Sequence, residues 1–335
     1  MQYLKNTFTF LMLCATLLTC QQQEKTQEVE YVYVPKITSD WWPIANNPDI
    51  GTCTSKKQQP VDFGIWQAAD GTWQLWSCIR HTNCGEKTRL FHAWEGKSIT
   101  DTLWIPKGIV MQADTTLGET SGGLQAPHVI MKDGLYHMLY GAWDQICLAT
   151  STDGKNFERY QNEAGKPQLF KIEAQDWINT RDAMTIKVDD TYYTYYTVHK
   201  AKQDSTTLNA AIFSRTSKDL IQWENEKMVS AGGSVADLDF WYGGDAECPF
   251  VVQIEDKFVL FRNQRYIGKQ INTQYCSPNP LDFGVDSDKY KVGQLSVAAP
   301  EIILHEGQYY IAALNPDLDG IRMAKIDFRK EYINR

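Results

Sequence analysis

Three acidic residues stand at the mouth of strand-like runs that need no charge: Asp62 in "PVDFGIW", Asp182 in "TRDAMTI" and Glu247 in "AECPFVV". A single acid in such a place is ordinarily a solvated cap. Three in one local setting ask for a common cause. Paired carboxyls suit the cleavage of a glycosidic bond. One, protonated, gives its proton to the departing oxygen, while the other, ionised, activates water or attacks the anomeric carbon. A third carboxylate can hold the acid in place and raise its pKa by like charge, or bind a sugar hydroxyl. Arg181, beside Asp182, would keep that third group ionised or clamp the substrate.

The elements that must carry these residues repeat. Five segments share one order, in which a polar or small residue leads into small residues or Pro, an apolar run, an acidic turn and an aromatic strand. They are "VDFGIWQAADGTWQLWS", "QAPHVIMKDGLYHMLYG", "RDAMTIKVDDTYYTYYT", "AECPFVVQIEDKFVLFR" and "AAPEIILHEGQYYIAAL". Each predicts a β-hairpin: DG, DD, ED and EG supply turns, and alternating Val, Ile, Tyr, Phe and Trp supply strands. Aligned by their turns, the segments place Asp62, Gln125, Asp182, Glu247 and Ala298 at one repeat position, at intervals of 63, 57, 65 and 51 residues. Such intervals hold four short strands each. They predict an all-β, five-bladed β-propeller whose innermost strands bring the repeat position to one mouth of a central channel. Helical periodicity of useful length is absent. Only 38 residues, Ala298 to Arg335, remain for the fifth blade, so a strand from within residues 31–62 is expected to complete it and close the ring.

The chain of 335 residues carries a formal net charge of −8, which argues against nucleic acid or anionic lipid as its main partner. Its start, "MQYLKNTFTFLMLCATLLTC", reads as an export signal with an apolar run too short to span a bilayer, ending at Cys20. The polar stretch after Cys20 suits a tether. The expected division is residues 1–20 signal, 21–37 tether and 38–335 propeller. Beyond Cys14 and Cys20, six cysteines remain, none in CxxC spacing, which disfavours a zinc knuckle. Cys78 and Cys84 could close a small disulfide loop, buried free thiols being the alternative.

These motifs resemble the five-bladed propeller glycoside hydrolases of families 43, 32, 62 and 68. "TRDAM" is similar to the Arg-Asp-Pro motif of family 32. "AECPF" resembles both the Glu-Cys motif of family 32 and the Glu-Gly-Pro motif of family 43, and "QAPHVIMKDGLYHMLYG" resembles the Ala-Pro-led second blade of family 43. Departures exist: Asp62 lacks the flanking motifs of either family, Ala183 replaces the expected Pro, and no C-terminal β-sandwich follows. They favour a divergent family 43-like enzyme over a family 32-like one. The resemblance implies that Asp62 is the general base, Glu247 the general acid and Asp182 the group that orients the acid and tunes its pKa. Glu247 is then expected to stay protonated near neutral pH, and inversion of configuration is expected rather than the retaining, family 32-like route. The "Cys20" end of the signal resembles a bacterial lipobox, which implies a lipid anchor on the cell envelope, with simple secretion the alternative.

A carbohydrate of plant or algal origin is the expected partner, with Arg181, Gln125, Trp143, Trp241 and Tyr242 as substrate-binding candidates. The three aromatic residues lie just outside strands, where rings can stack on sugars, core packing being the alternative. No cofactor is required. Calcium in the central channel is a further possibility that His128 or His199 could serve, a structural hydrogen bond being the simpler reading of each. Two competing readings use the same ring. A phosphorylase needs one acid and a cationic phosphate pocket, and is disfavoured by three acids with one adjacent Arg. A non-catalytic glycan-binding lipoprotein would tolerate loss of an acid, and none is lost.

Overall fold

The computed structural model describes residues 30–201, 210–234 and 246–333. The signal, Cys20, most of the expected tether, Trp241 and Tyr242 lie outside the described residues. After β1 (Tyr31–Ile37) and β2 (Trp42–Asn46) the chain builds four sheets in sequence. The first blade is β3 (Gln59–Gln67), β4 (Trp73–Arg80), β5 (Leu90–Gly96) and β6 (Ile105–Met111). The second is β7 (Leu124–Lys132), β8 (Leu135–Ala142) and β9 (Ile146–Ser151), edged by the short β10 (Glu158–Arg159) and β11 (Gln168–Phe170). The third is β12 (Trp177–Val188), β13 (Thr191–Lys200), β14 (Ala210–Ser217) and β15 (Glu224–Ser230), and the fourth β16 (Glu247–Ile254), β17 (Lys257–Arg265), β18 (Ile271–Ser277) and β19 (Lys291–Leu295). The fifth combines β20 (Glu301–His305), β21 (Gln308–Leu314) and β22 (Gly320–Tyr332) with the two N-terminal strands. Five sheets in a ring make a five-bladed β-propeller, as the repeat requires.

Ring closure falls to β22, whose first half pairs with β2 from Trp42↔Met323 and whose second half pairs with β1 from Ile37↔Ile326 to Tyr31↔Tyr332. The folded ring therefore begins at Tyr31, seven residues ahead of the expected boundary at 38. The end of the expected tether is strand because Tyr33, Val34 and Pro35 bury their side chains, a period too short to read against the polar run before it.

Strands form where the sequence alternates or is wholly apolar, because both faces of a blade are covered by its neighbours. Strand β4, "WQLWSCIR", buries seven of its eight residues. Three apolar clusters fill the spaces between sheets, centred on residues such as Leu75, Phe261 and Tyr196. The turn pairs sit where the sequence puts them: Asp133-Gly134 joins β7 to β8 and Glu306-Gly307 joins β20 to β21, each with positive φ at both residues, the type I′ geometry that a two-residue hairpin favours. At the same end of blades two to four, Ser151/Asp153, Ser217/Asp219 and Ser277/Asn279 cap the exit of the third strand. In each, the Ser hydroxyl and the acid or amide oxygen accept backbone N–H groups from the turn that follows.

The repeat register needs a correction. Counted back from the turns, Ala126, Asp182, Cys248 and Ala299 lie at one position, seven residues ahead of Asp133, Asp189, Glu255 and Glu306. All four, and Asp62, have positive φ, from 35° to 56°. Gln125, Arg181, Glu247 and Ala298 occupy the position before. Asp182 and Glu247 are thus neighbours in register and not equivalents. Four of the five innermost strands carry a β-bulge here, seen as pairing breaks at Val61/Phe63, Gln125/His128, Arg181/Met184 and Glu247/Phe250. A bulge turns two successive side chains toward the axis where a regular strand would turn one.

Candidate active site

The five positive-φ residues and those that follow them form the wall of one pocket on the ring axis: Asp62 and Phe63, Ala126 and Pro127, Asp182 to Met184, Cys248 and Pro249, and Ala299 to Glu301. The left-handed backbone at non-glycine positions is a local strain. It recurs around the mouth of the ring, where it aims side chains inward.

Asp62, Asp182 and Cys248 come within 4.8 Å of one another through their oxygen and sulfur atoms. The Cys248 thiol lies 3.3 Å from Asp62 Oδ1 and 2.9 Å from the Tyr266 hydroxyl. Glu247 points to the flank of this group. Its Oε1 accepts from Arg181 Nη2 at 2.5 Å and from His199 Nε2 at 2.7 Å. Arg181 Nε lies 3.5 Å from Asp182 Oδ2, so one guanidinium serves both acids. The His199 bond fixes its neutral tautomer with hydrogen on Nε2, and its Nδ1 has no partner.

The electrostatics of the two buried acids diverge. Burial pushes the Asp182 carboxyl up, to about 7, against the pull of Arg181 and with the charges of Asp62 and Glu247 adding to it. Its Oδ1 makes no hydrogen bond. Burial also opposes ionisation of Glu247, but Arg181 and His199 outweigh it and hold that carboxyl well below the usual range. These shifts run opposite to the expected order: they favour the proton on Asp182 and the charge on Glu247. An opposite charge in direct contact wins over desolvation at Glu247, and at Asp182, where the contact is longer, it does not.

A second arc continues from Arg181. With its amide oriented to satisfy both neighbours, Asn179 accepts from Arg181 Nη1 and donates to the Trp143 carbonyl. Arg89 and Lys87 lie over the Trp143 ring, at 5.4 and 4.5 Å from its centroid, and Arg89 Nη1 is 4.0 Å from Asp62 Oδ2. Trp143 lies beside this arc, half-buried, with cations on its ring. Gln125 is fully buried, without a hydrogen bond at either amide atom, and Gly141 separates its Cβ from that of Arg181.

The residues that sequence reasoning passed over are Arg89, Cys248, Tyr266 and Glu301. Of these only Cys248, in "AEC", carried a signal, as the neighbour of Glu247. The disulfide also differs from expectation: Cys84 bonds Cys53, with Cα atoms 5.2 Å apart. Cys78 sits in the middle of β4, fully buried, its sulfur against the Leu124 carbonyl at 3.3 Å, and cannot turn to meet Cys84.

Calcium takes six to eight oxygen ligands. The channel fits that poorly. Most of the wall around Asp62 and Asp182 is apolar, with Phe63, Pro127, Met184 and Pro249, and His128 Nε2 is taken up by the Thr185 carbonyl at 3.2 Å. Glu301 is the third carboxyl on that wall, and burial together with Asp62 pushes its pKa well up. Neither it nor the neutral thiol of Cys248 offers calcium a charged ligand.

No protein-family model matches the chain, and no curated protein matches it by sequence. Solved structures do match. A thermostable family-43 glycoside hydrolase superposes with a TM-score of 0.60 at 17% identity, covering 87% of this chain and 96% of its own. A family-43 enzyme of Xanthomonas citri in complex with xylotriose gives 0.55 at 14%, covering 82% and 90%. The family-32 β-fructofuranosidase of Bombyx mori gives 0.57 at 16%, covering 87% of this chain and 62% of its own. The fold is that of the family-43 propellers.

Proposed function

We propose that this propeller is a glycoside hydrolase of the family-43 type, acting on a plant or algal polysaccharide or its oligosaccharides. One observation carries the reading: Asp62, Asp182 and Glu247, from three different blades, converge at one end of the axis, with Asp182 and Glu247 sharing the Arg181 guanidinium and Asp62 within 4.8 Å of Asp182. Three carboxyls gathered at that place cost stability, and a two-carboxyl cleavage of a glycosidic bond gives them a use. The fold neighbours, which are hydrolases of such bonds, support it.

In this reading Asp62 is the base that activates water, Glu247 the acid and Asp182 its helper. Glu247 is the ion until Arg181 is drawn away. A substrate hydroxyl that accepts from Arg181 weakens the clamp on Glu247, and the proton held by Asp182 is then close at hand. The raised pKa of Asp182 favours a second reading, in which Asp182 itself is the general acid and Glu247 binds sugar. Leaving groups separate the two. The amide variant of the true acid should lose about 10² to 10⁴ in kcat on a natural linkage, yet little on a dinitrophenyl glycoside, whose leaving group needs no proton. Glu247→Gln is expected to behave so, with Asp62→Asn inactive on both substrates. If Asp182→Asn alone shows that recovery, the roles of the two acids exchange. A series in which no amide variant loses activity would remove the hydrolase site from this mouth.

Inversion is the expected stereochemistry, read by NMR of the first-formed product. A retained anomer would make Asp62 a nucleophile and move the protein toward the family 32-like route. Export fits the Cys53–Cys84 disulfide, since such bonds persist in oxidising compartments. Lipid attachment at Cys20 is part of the same proposal and rests on the sequence.

A further inference from the structure

The rim of the first blade is basic in an acidic protein. Residues 47–58 lead into β3 and residues 81–89 join β4 to β5, and the Cys53–Cys84 bond ties the two loops together. With the end of β4 they carry Lys56, Lys57, Arg80, Lys87 and Arg89 against only Asp49 and Glu86, in a chain of net charge −8. Asp49 is engaged within its own loop, where Oδ1 accepts from Gly51 N and Thr54 Oγ1. Among the described residues, Arg89 alone of these five cations approaches a carboxylate within 4.0 Å, and that carboxylate is Asp62. Burial and the charges of Arg80, Arg89 and Lys57 all lower the pKa of His81, so the positive field of both tied loops reaches it. Lys87 and Arg89 meet at the face of Trp143.

Solitary surface lysines are solvated and need no account. Here like charges are gathered by a covalent bond, beside an aromatic ring, at the edge of the candidate catalytic mouth. Their mutual repulsion is unfavourable unless an anion relieves it.

We infer that the first-blade rim is a subsite for an oxyanion carried by the sugar substrate, a sulfate ester or a uronate carboxylate, held by Lys87, Arg89 and Lys57 while the ring that bears it lies by Trp143. The inference rests on the hydrolase reading for its substrate but concerns binding. Guanidinium and ammonium groups suit such anions. Free phosphate, the other source of an oxyanion, would have to reach the reacting centre past the carboxylates of Asp62 and Glu247, whereas a substituent one sugar away meets the cations outside them.

The test uses the full mature protein with matched pairs of oligosaccharides: sulfated galactan fragments before and after desulfation, and glucuronoxylan fragments before and after carboxyl reduction. Binding is read by calorimetry and cleavage by product analysis. In at least one pair the anionic member should bind about tenfold or more tightly than its neutral twin, and the preference should shrink between 50 and 500 mM NaCl as charge is screened. The exposed double variant Lys57→Ala/Lys87→Ala should bring the ratio close to one, and Lys57→Arg/Lys87→Arg should restore it. Equal binding within every pair, no binding to any member, or a preference that ignores salt would overturn the inference. So would release of a sugar 1-phosphate on adding inorganic phosphate. Preferential binding without cleavage would uphold the subsite and discard the hydrolase reading instead.

Discussion

Arg181 settles the state of two acids at once, and it does so unequally. In contact with Glu247 it holds that group ionised, while Asp182, set farther from the guanidinium and fully enclosed, keeps its proton to about pH 7. The contrast with Glu119 is instructive: that buried carboxylate accepts from both Arg159 Nε and Nη2, from Tyr140 and from the Asp114 backbone, whereas Asp182 Oδ1 accepts nothing. A stability signature follows. Below about pH 4 Asp182 is protonated whether folded or not, and it contributes nothing. As pH rises through 4 to 7 the unfolded chain releases this proton and the folded one keeps it, so stability falls, reaching the full penalty above 7. Asp182→Asn removes the penalty. The variant should gain roughly 1–3 kcal/mol over the native protein at pH 8 and almost nothing at pH 3, read as thermal melts at the two pH values. Equal melting at pH 8 would show that the fold does not raise the Asp182 pKa. The acids and Arg181 were legible from residue type and setting, because charges at the head of an apolar strand stand out. Arg89, Tyr266 and the Cys248 contact with Asp62 were not, since they arise between residues of different strands, Cys248 and Asp62 being 186 positions apart.

At the scale of strands, what the sequence carries is the period, and what it hides is the bulge. Hairpin turns are local, so DG and EG could be read directly. The extra residue in four of the innermost strands leaves composition unchanged, so nothing in the sequence shows that Arg181 and Asp182 both turn toward the axis. The Cys53–Cys84 bond was hidden for a related reason: a strand decides which way Cys78 points, and spacing alone does not. Close contact between blades is set here too. Gly64 on β3 faces the second blade, and a Cβ placed on it would lie 2.3 Å from the Pro127 carbonyl oxygen. Backbone cannot yield as a side-chain tip can, so Gly64→Ala should destabilise the protein by roughly 2–4 kcal/mol and disturb Asp62 two residues away. Denaturant melts and kcat measured together check both effects. A wild-type melt would mean the two blades are not so tightly opposed.

For the whole molecule, five similar hairpins announced the ring, and the shortage of residues after Ala298 announced that an N-terminal strand must complete it. Two strands of the stretch 31–62 share that task rather than one, and "WPIAN", without alternation of its own, does not show its pairing with β22. Removing residues 1–37 leaves half of β22 as an open edge, and such edges seek other chains. The shortened protein should melt about 5 °C or more below the full one and show concentration-dependent association by light scattering; an unchanged melt and a monomeric profile would mean β2 alone suffices. The pairing of Tyr31 with Tyr332 also governs the order of events in making the fold. Bringing together residues roughly 300 apart costs only about 1–2 kcal/mol more loop entropy than joining neighbouring blades about 60 apart, because that cost grows with the logarithm of length. The burden is one of time. As the chain is delivered N-terminus first, four blades can assemble beside a first strand that has no partner, and that strand must wait, exposed, until β22 follows.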